Sequence, residues 1–472
     1  MFCEEGGKID KIRQIKGEKA MLKGNTYVSN YELDKIFKNA KNIFFIGIGG
    51  VSMSSLAEYC YYNGKSVFGY DRERNENARR LEKICNVKYY STPDSVSSMD
   101  LVIYSGSIST DNFEMQNAEK LKIPLVSRSN FLGYIMSKSE KRIGVCGTHG
   151  KSTTTSIIGH IFEYACKDPS IFCGATMKEF CSPSKLGKGK EFIFEACEYQ
   201  NAFHSFYPTY AVLTNIEYDH PDFFKNENEL LASFQKFISS SRYAIVNADD
   251  ELSSQIQHSS IVTFGINEKA DYMAREIRVE DGKTKFTVKR GSRVVCRCEM
   301  SFFGAHMVYN ALSAIALAHL YGIDASIIER AIASYEGIKR RCELIKRTEK
   351  QSIYLDYAHH PTEIRASLDG FYKMGYKKIL CIFQSHTYSR TVALYDSFVR
   401  ELKKADEIII APIYTAREGD TLGYTDEAFA KSIGAELIQD YQKISERIIK
   451  SDCDCVIIMG AGDIENIKKF LK

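Results

Sequence analysis

Seven residues, Gly147-Thr148-His149-Gly150-Lys151-Ser152-Thr153, carry the clearest chemistry in the sequence. They lie between the strand-like run RIGVC and the helix-like run STTTSIIGHIF. A glycine turn at that junction leaves backbone N–H groups free at a helix N-terminus, where they and the helix dipole bind phosphate. Lys151 reaches the terminal phosphates of a nucleotide, and the Ser152 hydroxyl suits a Mg²⁺ ion. The usual spacing, G-x-x-x-x-G-K-[ST], is shortened because position 145 is Val. Mg²⁺ takes hard oxygen ligands and keeps waters. Glu195 ends the strand EFIFE, and His220 follows the strand YAVLTNI, both where strands of a parallel sheet present side chains to a ligand crevice. A lone His is more often structural than a ligand; three such groups at strand ends beside a phosphate loop shift that balance. The chemistry this points to is ATP consumption.

A second glycine turn, GIGGVSMSS, joins the strand NIFFIG to a helix stopped by Gly64. Gly47, Gly49 and Gly50 fit a dinucleotide turn, although its third glycine position is Ser52. Asp71 ends the next strand, where an acid meets a ribose or similar hydroxyl. NAD, a UDP-sugar and a tight turn without ligand all satisfy this pattern.

Positioning these groups takes several α/β layers. At roughly 150 residues per domain, 472 residues suggest about three domains. Repeated strand–helix units imply parallel sheets covered by helices. SVFGYD and DLVIYSG continue the first block, which breaks at MSKSEK. The second block holds RIGVC, EFIFEAC, YAVLTNI and YAIVNAD, then a segment from Asp271 to Met300 that alternates like inserted hairpins, and the apolar helix HMVYNALSAIALAHLYG. The third block holds SIYLDY, KILCIFQ, EIIIAPIY and CVIIMGAG. The expected divisions are an N-terminal extension over 1–40 and domains over 41–139, 140–345 and 346–472.

Bulk properties exclude several classes. A net charge of +3 offers no general argument for nucleic acid or an anionic membrane as partner. No apolar run approaches the roughly 20 residues of a membrane span, and the charged N-terminus is not a signal peptide. Fourteen scattered cysteines without a C-x-x-C pair fit buried, reduced thiols in a cytoplasmic protein.

In order along the chain, GTHGKST, EACEY, TNIEYDHPDFF, GAHMVYNALSAIA, GIKRRCE, LDYAHHPTEI, FQSHTYSRT and GAGDI resemble the Mur ligases, from about Asn42 to the C-terminus. DYAHHPTEI and FQSHTYSRT resemble the alanine-adding branch. The resemblance implies an α/β protein of three domains: a Rossmann-like N-terminal domain, a central P-loop ATPase-like domain and a C-terminal dinucleotide-fold-like domain. It implies UDP-N-acetylmuramate and L-alanine as substrates, ATP and Mg²⁺ as cofactors, and phosphorylation of a carboxylate before amine attack. Gly47, Gly49, Gly50, Ser52, Asp71 and Ser105 would then bind the UDP-sugar. Gly147 to Thr153 would bind the triphosphate; Ser152 and Glu195 would hold one Mg²⁺, and His220 a second. His306 and Asn310 would meet adenine, Arg340 or Arg341 phosphate, and Asp356 the ribose. His359, His360, His386 and Arg390 would surround the amino acid, one of the histidines taking its proton. Two positions depart from the common pattern, Met307 after His306 and Thr387 after His386. Lys236 lies in the region where related ligases carry a carbamylated lysine. A tripeptide-adding ligase, a nucleotide-binding regulator and an NAD-dependent dehydrogenase are the competing readings.

Overall fold

The run Ile43–Ile46 is buried on both faces, and that dictates a central strand of a helix-covered sheet rather than an exposed edge. The computed structural model describes residues 28–471 apart from positions 93, 107, 109, 110, 222, 281 and 417. The chain divides into two compact units, Met1–Ser137 and Lys138–Lys472.

The first unit is built on one parallel sheet of β1 (Asn42–Ile46), β2 (Ser66–Tyr70), β3 (Asn86–Lys88), β4 (Leu101–Tyr104) and β5 (Leu125–Ser127), in the order β3-β2-β1-β4-β5. That order is the dinucleotide-fold arrangement, with its crevice at the C-terminal ends of β1 and β4. The expected extension lies partly outside the described residues, at 1–27. Its described part belongs to the domain. Ser29 caps the helix Asn30–Asn39 with a capping box, and Phe37 packs on Phe131 at 5.6 Å between ring centres. Asn130 ties Val28 down through both its backbone groups.

The second unit holds two sheets. The larger contains β6 (Lys141–Cys146), β7 (Ser170–Met177), β8 (Ser182–Lys185), β9 (Glu191–Glu195), β10 (Tyr210–Leu213), β11 (Tyr243–Asn247), β12 (Ile261–Gly265), β13 (Tyr272–Glu280), β14 (Lys283–Arg290) and β15 (Arg293–Met300). Its order is β15-β14-β13-β12-β11-β10-β6-β9-β7-β8. The segment expected as inserted hairpins is the continuation of that sheet: β13 joins β12 in parallel, and β14 and β15 fold back antiparallel. The helix Ala305–Tyr321 is apolar on nearly every face because both sides are covered. Leu312, Ile315 and Leu317 are all fully buried in it, each stabilising the fold by about 1.5–3 kcal/mol.

The smaller sheet holds β16 (Glu343–Arg347), β17 (Ser352–Asp356), β18 (Ile379–His386), β19 (Glu407–Tyr414), β20 (Glu436–Leu437) and β21 (Cys455–Met459), in the order β16-β17-β21-β18-β19-β20. Only β16 runs antiparallel to its neighbour, and the expected boundary at 345/346 falls inside it. Separate apolar clusters cover the two faces, one around Phe371 and Phe398, the other around Ile444 and Ile464. No described helix is long and apolar enough to cross a membrane, and the described cysteines are all free thiols.

Candidate active site

The phosphate loop follows β6 and opens the helix Lys151–Tyr164. Gly147 and Gly150 have φ of 136° and 82°, a region that glycine alone enters without strain. A Cβ at Gly147 would run into the Thr214 hydroxyl, and one at Gly150 into the Asn310 amide. The loop is therefore pressed against the end of β10 and the helix Ala305–Tyr321. His149 N donates to Asn215 Oδ1 at 2.9 Å, and Thr148 Oγ1 donates to Glu217 O at 2.9 Å.

Lys151 folds across the loop. Its ammonium donates to Gly147 O at 2.6 Å and Thr148 O at 2.9 Å, and pairs with Glu198 at 3.0 Å. Burial pushes the ammonium towards neutrality, but Glu198, with Cys197 and Glu195, raises its pKa above the ordinary lysine value. Ser152 Oγ donates to Glu195 Oε2 at 2.7 Å, and Gly174 N donates to the same oxygen at 2.8 Å. Two hard oxygens thus sit side by side at the start of the helix. His220 has φ of 56°, and its Nε2 lies 3.6 Å from Glu198 Oε1. Glu198 is a residue that sequence reasoning missed. Burial raises its pKa, yet Lys151 and His220 hold the carboxyl below the ordinary value. The signal was present, since Glu198 follows Glu195 by three residues just past the end of β9.

The acceptor candidates come from the smaller sheet. Arg390 Nε and Nη2 donate to Asp219 Oδ1 and Oδ2 at 2.8 and 3.1 Å, a buried bidentate pair joining the two layers. Burial raises the Asp219 pKa, but Arg390, with His220 and His360, holds the carboxyl well below the usual range. Arg390 Nη1 lies 3.2 Å from His386 Nδ1. Burial, with His359 and Arg390 adding to it, drives His386 down to about 3. His360 is driven down to about 4 by burial and by His149. His359 Nδ1 sits 2.8 Å from Tyr357 O and 3.2 Å from Glu363 Oε2, and its ring lies 5.9 Å from that of His386.

A cavity of about 290 Å³ opens beside the loop, lined among others by His149, Thr153, Asn247, His306, Asn310, Arg341 and Asp356. Met307, at 5% exposure, lines it as a side chain of the helix. Burial pushes the His306 pKa below the ordinary histidine value. Arg341 lines this cavity and pairs with Glu363 at 3.2 Å. Arg340 turns away, donating to Gly460 O at 2.7 Å and Gly462 O at 2.9 Å. Of the two arginines, Arg341 is the one that lines the cavity. Asp356 accepts from Ala358 N at 3.0 Å and Ser367 Oγ at 2.9 Å, so part of its capacity holds its own turn. Asn247, at the end of β11, was missed although the strand-end rule that found Glu195 applies to it. Lys236 is exposed on its helix.

In the first unit, Gly47 N donates to Tyr70 O at 2.8 Å and Gly50 N to Gly47 O at 3.2 Å, closing the turn. Asp71 Oδ2 accepts from Gly49 N at 2.7 Å. The acid expected at a ribose is therefore engaged with the glycine turn itself. Arg128 donates to Ser52 Oγ at 3.2 Å, adding a cation at this helix start that sequence reasoning missed. Ser105 N donates to Ile46 O at 3.4 Å, at the end of β1 beside the turn.

A phosphate loop, a facing carboxylate pair and a dinucleotide-type domain supplying arginine and histidine define a class. Residues 42–140 match the Mur ligase family, catalytic domain; 145–318 the Mur ligase middle domain; and 340–462 the Mur ligase, glutamate ligase domain. The chain belongs to the Mur ligase family. Its relatives include the UDP-N-acetylmuramate–L-alanine ligase of Caldanaerobacter subterraneus subsp. tengcongensis, 37% identical over 92% of this chain and 97% of that one. The enzyme of the same name from Alkaliphilus metalliredigens is 37% identical over 91% and 97%. The crystal structure of UDP-N-acetylmuramate-alanine ligase from Thermotoga maritima superposes with a TM-score of 0.80 at 26% identity, covering 92% of this chain and 98% of that one. A murein peptide ligase from Psychrobacter arcticus shares the fold, with a TM-score of 0.71 at 23% identity over 91% and 98%.

Proposed function

We propose that the chain joins L-alanine to the lactyl carboxylate of UDP-N-acetylmuramate, with ATP cleaved to ADP and phosphate, in peptidoglycan precursor synthesis. The observation that carries this is the meeting of donor and acceptor groups. Lys151, Ser152 and Glu195 gather at one end of the larger sheet, and Arg390 reaches from the smaller sheet to Asp219, next to His220. Relatives named for this ligation, matching more than nine-tenths of the chain, support the choice of substrates.

A carboxylate is a poor electrophile. Phosphorylation converts it to an acyl phosphate, the amine attacks the carbonyl carbon, and the tetrahedral intermediate expels phosphate. The phosphate loop binds the nucleotide through Gly147, Thr148, His149, Gly150 and Thr153, with Lys151 on the phosphates. Glu198 already orders that ammonium, so it need not be fixed during the reaction. Asn247, His306 and Asn310 receive the adenine end of the cavity, Asp356 the ribose, and Arg341 a phosphate. Ser152, Glu195 and His220 are the proposed Mg²⁺ holders; the paired hydroxyl and carboxylate oxygens suit a hard cation. Bound Mg²⁺ supplies neutralisation of the phosphate charge.

Arg390 takes the alanine carboxylate, its guanidinium plane set by Asp219. A base works best with a pKa near the working pH, and His386 at about 3 and His360 at about 4 lie far below it. Burial disfavours the cation at both, so they take binding roles, and we assign the amine proton to His359, whose ring is held by Tyr357 O and Glu363 Oε2. The UDP-sugar goes to residues 41–139, at Gly47, Gly49, Gly50, Ser52, Ser105 and Arg128. ATP goes to 140–345 and alanine to 346–472. The substrates put the proposed site of action in the cytoplasm.

The test is phosphate release from ATP by the full chain. Release that requires both UDP-N-acetylmuramate and L-alanine is expected. Release with a murein tripeptide but not with alanine would replace this reading by that of a recycling ligase.

A further inference from the structure

Three side chains from three elements converge where the phosphate loop meets the smaller sheet. His149 stands on the loop, Glu217 follows β10, and His360 caps the helix Pro361–Lys373. Glu217 Oε2 lies 3.1 Å from His149 Nε2 and 3.9 Å from His360 Nδ1, and one ligand atom from each residue falls within 4.8 Å of the others. We propose that His149, Glu217 and His360 form a binding site for a zinc-class transition-metal dication, separate from the Ser152 and Glu195 pair.

The donor set selects the ion. Two imidazole nitrogens and one carboxylate oxygen suit zinc, cobalt or nickel, whereas Mg²⁺ asks for an octahedron of oxygens. With bonds of about 2.0–2.2 Å, ligand atoms around a tetrahedral ion stand about 3.3–3.6 Å apart, so side-chain shifts of about an ångström or less per atom close the site.

The surroundings are those of a metal centre. A ligating histidine gives its second nitrogen to a carboxylate, which fixes the ring and its tautomer. His149 Nδ1 lies 3.3 Å from Glu363 Oε1, and Arg341 anchors that carboxylate at 3.2 Å. Glu217 Oε1 accepts from Thr362 Oγ1 at 2.5 Å, leaving Oε2 to the site.

His360 supplies an independent observation. It is 2% exposed, and its Nε2 has no hydrogen-bond partner. Its Nδ1 has only the long 3.4 Å cap contact from Thr362 N. Nδ1, the nitrogen that faces Glu217 at 3.9 Å, is thus only loosely claimed and open to a ligand. The other converging group among the described residues, Glu407, Asp452 and Cys453, differs because the Lys378 ammonium already sits on both carboxylates at 2.8 and 2.6 Å. A dication held by His149, Glu217 and His360 ties the phosphate loop to the domain that carries the acceptor groups.

The experiment is a Co²⁺ titration of the full chain in a large excess of Mg²⁺, read by the visible d–d absorption of a nitrogen-ligated ion. One Co²⁺ per chain is expected, displaced by Zn²⁺. His360→Asn keeps a good helix cap and is expected to weaken Co²⁺ binding by at least about tenfold, as is Glu217→Gln. Glu195→Gln, which removes a proposed Mg²⁺ ligand, is expected to leave the cobalt signal unchanged, so failure here and failure of the ligase reading are told apart. Absence of Co²⁺ binding under excess Mg²⁺ would overturn the proposal. So would a signal that Glu195→Gln abolishes and His360→Asn leaves intact.

Discussion

Lys151 holds two loop carbonyls and the buried carboxylate of Glu198 at once. A cation so placed acts on charge that develops as phosphate is transferred. Lys151→Ala is expected to lower kcat by at least about a hundredfold, about 3 kcal/mol. UDP-sugar binding measured by calorimetry should be unchanged, since that site is assigned to the other unit. Near-normal turnover in the variant would remove the loop from the mechanism. For the amine proton, His359→Asn is expected to cost about 10²–10⁴-fold in kcat with little change in alanine KM; a change confined to KM would make His359 a binding residue. His386 also predicts a pH dependence of stability. Its value falls to about 3 on folding, through burial and its cationic neighbours, so the unfolded chain binds that proton more tightly. Its contribution is whole above an ordinary histidine value of about 6.5 and is lost as pH falls towards about 3. Urea midpoints between pH 7 and pH 4 should fall more steeply for the wild type than for His386→Asn. Parallel curves would contradict the shift.

The phosphate loop illustrates what an element contributes beyond its residues. Gly147 and Gly150 let the backbone turn between β6 and its helix while packing against Thr214 and Asn310. Gly147→Ala is expected to cost about 1–3 kcal/mol from backbone strain alone, with more from the clash. The measurement is thermal unfolding together with ATP affinity, and an unaltered affinity would show that the turn tolerates a side chain. This element was legible in the sequence because its signals are local: an apolar run, two glycines and a lysine within one turn. The meander β13–β15 was only half legible. Alternation marked its strands, but its attachment to β12 depends on a short register, Phe264 against Tyr272 and Gly265 against Met273, which no local pattern encodes. The same holds for the helix Asn30–Asn39. Its capping box is a sequence signal, whereas its membership of the first domain rests on Phe37 meeting Phe131.

At the scale of the second unit, the contact between its two sheets runs through charged groups. Arg390 with Asp219, Thr362 with Glu217, and His149 with Glu363 all cross it. Removing one partner from a buried ion pair leaves the other charge uncompensated, at a cost of about 3–5 kcal/mol. Asp219→Ala is therefore expected to loosen the smaller sheet from the larger. Faster amide hydrogen exchange over 386–394 and a higher alanine KM should appear together. Exchange unchanged from wild type would mean that the contact stands without this pair.

The sequence by itself determined the α/β blocks, the phosphate loop and the strand-end position of Glu195, whereas His220 lies seven residues beyond the end of β10. Each depends on residues within a few positions of one another, or on apolar periodicity that survives any packing. The tertiary structure alone decided which distant groups meet. Arg390 and Asp219 are 171 positions apart, and only the stacking of two sheets brings them together. It also separated the neighbours Arg340 and Arg341, alike in type and charge. Arg340 has φ of 60° and points to the backbone around Gly460 and Gly462, while Arg341 points into the cavity. Side-chain direction at adjacent positions follows backbone torsion, and that torsion is set by what the chain must pack against.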